Sequence, residues 1–232
     1  MHRLLAVANL SGLDFAAIAW FVLCWVGYAR YHTWKSKSVP TLQGIVHSFR
    51  RDWMARLVER EGRIVDTSIL TNLSNSSTFF ASTTLLILGG LLAMLGSKEK
   101  VVNVVSELPF AAKIPEDVWE IKILFLLMIF VYAFFIFTWS LRQFNFCSIL
   151  VGAAPPPGTK GDEFQGFVLR AAHLASLASD SFNDGLRAFY FALAGLTWFV
   201  HPWLLAIASP LVVLVLYWRE FRSEALKVLI EV

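Results

Sequence analysis

Side chains able to do chemistry are scattered through this chain rather than gathered into one motif. Near the middle it reads Trp139-Ser140-Leu141-Arg142-Gln143-Phe144-Asn145-Phe146. Arg142, Gln143 and Asn145 could bind an anion or rim the mouth of a pore. The same three residues also suit an arginine snorkelling to headgroups, beside amides that bond other helices. Asp66, Asp180, Asp184 and Arg187 offer paired carboxylates facing a guanidinium, and ion pairing between helices is the commoner use of such groups. His201 stands inside a long apolar run, just before Pro202. An ionisable residue there is a functional candidate, and a neutral imidazole bonded to a neighbouring helix is the competing reading. Asp14, at the start of the first apolar run, reads as interfacial. His2, His32, His47 and His173 have no partner at metal-ligand spacing, so neither a metal nor another cofactor is expected. No nucleophile elbow, phosphate-cradling glycine loop or Cys-x-x-Cys occurs, and an enzyme is not the expectation.

These groups depend on the stretch from Asp66 to Leu95 for their setting. Its second half is apolar enough for a bilayer, while its first half carries Ser, Thr or Asn at almost every other position. On a helix, Ser68, Asn72, Asn75, Phe79 and Ser82 share one face. Amides and hydroxyls brought toward hydrocarbon need partners or water, because an unpaired polar group there costs kilocalories. Either neighbouring helices satisfy the stripe or it lines a wet cavity. Asn72, Asn75 and Ser82 are therefore the candidate pathway-lining residues.

Composition agrees with a membrane setting. The 232 residues are 57% hydrophobic, 15% aromatic and only 16% charged, with a mean hydropathy of +0.61. A net charge of +3 gives no reason to expect nucleic acid. Cys24 and Cys147 read as reduced and structural. No small-x-small cleavage site follows the first apolar run, which is expected to be a retained span.

Four stretches are long enough to cross a bilayer: about 13–28, 78–95, 121–139 and 189–216. The expected fold is an all-α integral membrane bundle, one domain over residues 1–232, with cytoplasmic helical segments at about 41–77 and 162–180. The fourth stretch holds Pro202 and Pro210, and a single kinked span is expected there. Lys/Arg bias places the connections after spans one and three in the cytoplasm, and the N-terminus and second connection outside. The tail carrying Arg219, Arg222 and Lys227 then falls outside, against the same rule. The setting is a cell membrane, the inner membrane in a bacterium. The basic segment after Pro40 reads as an amphipathic helix, for docking on anionic lipid or packing on the protein itself. It is expected to run without a break into the second span, and Asp180 or Ser181 to cap the fourth.

Three separated motifs carry a family resemblance: Phe79-Phe80-Ala81-Ser82-Thr83-Thr84-Leu85 onward to Gly89-Gly90, Ser140-Leu141-Arg142-Gln143-Phe144-Asn145, and Ser181-Phe182-Asn183-Asp184-Gly185-Leu186-Arg187-Ala188-Phe189-Tyr190. In these the chain resembles domain of unknown function 599, an uncharacterised membrane-protein family. The resemblance implies a polytopic membrane protein and transfers no catalytic residue. Taken together, the expected function is a homo-oligomeric channel or transporter for small ions or solutes, in contact with the lipid bilayer. The alternative is a scaffold whose basic helices bind anionic lipid or a partner protein. A membrane enzyme working on a lipid headgroup ranks last.

Overall fold

A computed structural model describes residues 10–97 and 115–230. All regular elements among them are helical: α1 (Gly12–Lys35), α2 (Leu42–Glu59), α3 (Ile64–Gly96), α4 (Glu116–Gly152), α5 (Asp162–Leu196), a 3-10 turn (Thr197–Phe199), α6 (Pro202–Phe221) and α7 (Glu224–Ile230). The acidic second connection expected outside, and His2, lie outside the described residues. Four stretches are long and apolar enough to cross a membrane: α1, α3, nearly all of α4 and Pro202–Ile230. The chain divides into two compact units, and α3, α4 and α5 each contribute to both.

The first unit combines Met1–Val39, Thr84–Tyr132 and Arg187–Trp218. A capping box starts α1: Asp14 N donates to Ser11 Oγ (3.2 Å), and Ser11 N donates back to the Asp14 carboxylate (3.0 Å). The core is aromatic. Phe21 meets Trp25, Phe125 and Phe191 edge-on, and Trp25 stacks on Phe191 at 5.2 Å. Gly195 lets α5 approach α4 closely, since a Cβ there would lie 2.9 Å from a Leu126 methyl.

The apolar run over 189–216 is two helices, not the single kinked span expected. α5 ends at Leu196, and Pro202 takes the first position of α6, where its missing N–H costs nothing. His201 Nδ1 accepts from Trp203 N at 3.2 Å and closes that helix start. Farther on, Pro210 cannot donate to the Ala206 carbonyl, and Trp20 Nε1 supplies the bond instead at 3.1 Å. With Trp20 beside Ala206 and Lys35 Nζ 3.2 Å from Tyr217 OH, α1 and α6 run in the same direction. The chain therefore leaves α6 at the end where it leaves α1. Arg219 near the end of α6, with Arg222 and Lys227 beyond it, therefore follows α6 at the end where the first basic connection follows α1, an arrangement that does not conflict with the Lys/Arg rule.

The second unit combines Pro40–Thr83, Ala133–Leu186 and Arg219–Val232. Thr41 caps α2 by accepting from Gly44 N. This helix packs on the protein itself, burying Met54, Leu57 and Val58 against Leu70, Phe144, Cys147 and Phe167. It stops at Glu59 and α3 begins at Ile64, so the expected unbroken rod is interrupted around Gly62. From Ile64 the rod is real, 33 residues long, and passes Gly89-Gly90 without a break. Ser77 Oγ lies 3.0 Å from Ser140 Oγ, and Phe80 stacks on Phe137 at 5.2 Å, so α3 and α4 are antiparallel. α5 presents Ala171, Ala172, Ala175 and Ala178 to the same core. It runs straight through Asp180 and Ser181, which cap nothing. Gly158 and Gly161, both at positive φ, turn the chain between α4 and α5. The tail packs on α2, with Gln43 N donating to Glu220 Oε1 at 3.1 Å. Cys24 and Cys147 are buried free thiols, one in each core.

Candidate functional site

The face of α3 that turns inward is not the one singled out by residue type. Asp66, Leu70, Ser77, Ala81 and Thr84 are buried, whereas Ser68, Asn72, Asn75, Phe79 and Ser82 are exposed on the chain. Many hydroxyls of the outer surface are absorbed by their own helix: Ser68 donates to Ile64 O, Thr71 to Thr67 O, Ser76 to Asn72 O. The carboxamides of Asn72 and Asn75 have two donor sites each, and among the described residues neither finds a partner.

Asp66 stands in the first turn of that helix. It is 0% exposed, and its Oδ1 accepts from Trp53 Nε1 and from Arg60, both at 2.7 Å. Its Oδ2 has no partner, and neither does the Nε of Arg63. Arg63 otherwise donates to Val151 O (3.3 Å) and Pro155 O (2.8 Å), tying α3 to the end of α4. Trp53, Arg60, Arg63 and Asp66 thus hold the break between α2 and α3 in shape.

Asp180 belongs to a separate group. His47 Nε2 lies 2.9 Å from its Oδ1, and Arg50 of the same α2 turn donates to Ser179 Oγ at 2.6 Å. Burial pushes the Arg50 guanidinium below its usual pKa, and the neighbouring Asp180 pulls it back up. A guanidinium so shifted still keeps its charge near neutrality. Asp66 and Asp180 therefore answer to different partners and do not form the carboxylate pair considered from sequence. Asp184 and Arg187 lie half-buried farther along α5.

The motif on α4 is split by helical geometry. Gln143 is buried and sits 2.9 Å from Ser181 Oγ; with its amide nitrogen on that side it also donates to Leu177 O (3.2 Å) and accepts from Trp139 Nε1 (3.3 Å). Arg142 and Asn145 face outward, and the Arg142 guanidinium lies over the Phe146 ring at 5.6 Å. His201 is exposed in the turn between α5 and α6, not in mid-span.

One buried group escaped the sequence reading. In the first unit Lys122, 3% exposed, donates to Trp198 O at 2.8 Å and lies over the Trp198 ring. Trp198 Nε1 donates in turn to Asp14 Oδ1 at 2.8 Å. The signal was a lone lysine near the start of a strongly apolar run, the kind of residue kept only with partners. Their arrangement fastens the turn after α5 to the starts of α1 and α4.

Four helices long and apolar enough to cross a membrane, with helix the one regular element among the described residues, define the class: an all-α, multi-pass membrane protein. Within that class, the model of the family described as "Protein of unknown function, DUF599" matches residues 16–225, and the chain belongs to that family. No curated protein and no solved structure matches the chain.

Proposed function

We propose that the protein works in the membrane as a homo-oligomer conducting small ions or solutes. The pathway would form where copies meet, lined by Asn72, Asn75 and Ser82, with Arg142 near one mouth. One observation carries this reading: two amides stand exposed and unpaired on a helix apolar enough to cross a membrane. Such groups facing lipid alone would cost roughly 1–3 kcal/mol each, so water or a second copy supports them better. Cores packed with aromatic rings and alanines leave the outer face as the natural place for a wet surface.

Replacing both amides (Asn72→Ala with Asn75→Ala) in reconstituted protein should change flux severalfold without dissolving the oligomer. Unchanged flux would count against this lining. Cysteines introduced singly at these two positions should cross-link copies.

A second reading is a non-conducting scaffold that binds anionic lipid or a partner. In its favour, Phe49, Arg51 and Arg56 of α2 remain exposed after that helix has packed on the protein. Liposomes would then show no flux, and anionic lipid would strengthen binding.

A further inference from the structure

We propose that the groove between α2 and α5 in the second unit is a binding site for a phosphate-bearing anion. The proposal sharpens the anionic-lipid reading, on which it rests, and is independent of conduction. The groove encloses about 280 Å³, near the lower end of the size of small-ligand sites, about 300 Å³. Its polar lining is His47 and Arg51 from α2, with His173, Ser176 and Asp180 from α5. The spacing explains the convergence. Positions 47 and 51 are one turn apart, and 173, 176 and 180 recur at three and four, so each set shares a face.

Charge selects the ligand. The one carboxylate, Asp180, is already engaged by His47 at 2.9 Å and attracted by Arg50. Within the lining Arg51 balances that carboxylate, and Arg50, on the same turn of α2 beside the groove, adds a further positive charge near Asp180. Among the described residues the side chains of Arg51, His173 and Ser176 make no hydrogen bond, so a guanidinium fork, an imidazole and a hydroxyl are all available. Ser176 is only 7% exposed, placing its hydroxyl on the groove's inner wall. Arginine with hydroxyl and imidazole donors matches phosphate oxygens in both charge and geometry. A metal does not fit, since among the described residues no three His, Cys, Asp or Glu side chains converge.

Two details favour a phosphate ester over the bare ion. Leu169 and Leu177 flank the groove and are exposed, offering an apolar wall for the rest of an amphiphile. The Asp180 end lies beside Ser181, which is bonded to Gln143, next to Arg142, the one charged residue of α4 beyond Lys122. That is the level at which a headgroup would sit.

The test uses the full-length protein in detergent micelles with ¹³C-labelled histidine. Dihexanoyl phosphatidic acid and inorganic phosphate are titrated separately, and the imidazole resonances are followed by NMR. Saturable shifts at His47 and His173 are expected with at least one probe. Arg51→Gln with His173→Gln, monitored at His47, should weaken that binding about tenfold, as loss of a charged hydrogen bond predicts. Arg56→Gln, outside the groove on the same helix, should leave it unchanged. Tighter binding of the lipid than of inorganic phosphate would identify a headgroup, and equal binding a soluble phosphate; both support the site. If Arg56→Gln weakens binding as much as the groove variant, the groove is overturned while anionic-lipid binding by the basic helix survives. If neither probe shifts either histidine, both fall. Retained micellar elution volume and helical circular dichroism show that each variant is folded.

Discussion

On the inward face of α3, Asp66, Ser77 and Thr84 are buried, and Asp66 and Ser77 bond the neighbouring elements α2 and α4. On the outward face, Asn72, Asn75 and Ser82 are of similar polarity, yet stay exposed. The inner groups are short and meet partners built into the chain: Ser77 faces the Ser140 hydroxyl, and one oxygen of Asp66 takes both the Trp53 indole and the Arg60 guanidinium. The outer amides carry more donors than their own helix can absorb. Polarity on this helix therefore takes two forms: fastening where a partner is built in, and an exposed stripe where none stands among the described residues.

Breaking the inner face should be costly. Arg60→Ala would leave the Asp66 carboxylate buried with only the Trp53 indole. Because Arg60 is itself partly exposed, the loss should fall at about 2–3 kcal/mol, at or below the roughly 3–5 kcal/mol typical of a fully buried pair. Thermal unfolding in micelles measures it. Adding Asp66→Asn to Arg60→Ala should restore more than half of the loss, since the stranded charge is gone; no restoration would mean that the arginine acts through packing alone.

Gly185→Leu tests the packing behind that face. A Cβ at 185 would lie 2.6 Å from the Phe137 ring, which stacks on Phe80 of α3. Displacing it should cost about 2 kcal/mol, the usual penalty of overpacking. Full stability in this variant would show that the ring has room to move. Ser140→Val should do less. Ser140 Oγ donates to Ala178 O at 2.7 Å and pairs with Ser77, and hydrogen bonds between membrane helices average about 0.6 kcal/mol. A loss of about 1 kcal/mol is expected, and Ser77→Ala in that background should then add little.

Much of this architecture is legible in the residues. Long apolar runs mark α1, α3 and α4, and the punctuation Pro155-Pro156-Pro157-Gly158 marks the turn before α5. Other features resist the same reading for physical reasons. Pro202 begins a helix rather than bending one, and a hydropathy average over 189–216 does not distinguish these; the cap supplied by His201 does. The two faces of α3 have nearly the same composition, so periodicity finds both stripes without saying which is inward. Only the complementary Ser140 and Phe137 on α4 decide it. Lys122 is hard to see because its partners, Asp14 and Trp198, come from residues far apart in the chain.

The outer face should respond least in stability and most in behaviour. Asn72→Ala with Asn75→Ala removes exposed groups that make no side-chain hydrogen bond among the described residues, so the unfolding free energy of the monomer should change by no more than about 0.5 kcal/mol. Assembly should report the difference. If copies meet along this face, alanine there would weaken association in sedimentation measurements or alter flux in liposomes, whereas Ser140→Val would lower stability and leave the surface between copies intact. Two variants on touching helices would then separate cleanly, one in unfolding and the other in assembly or transport. An amide-free protein that unfolds early yet associates and conducts normally would reverse the assignment, making the outer amides part of the fold and leaving the exposed stripe without a use between copies.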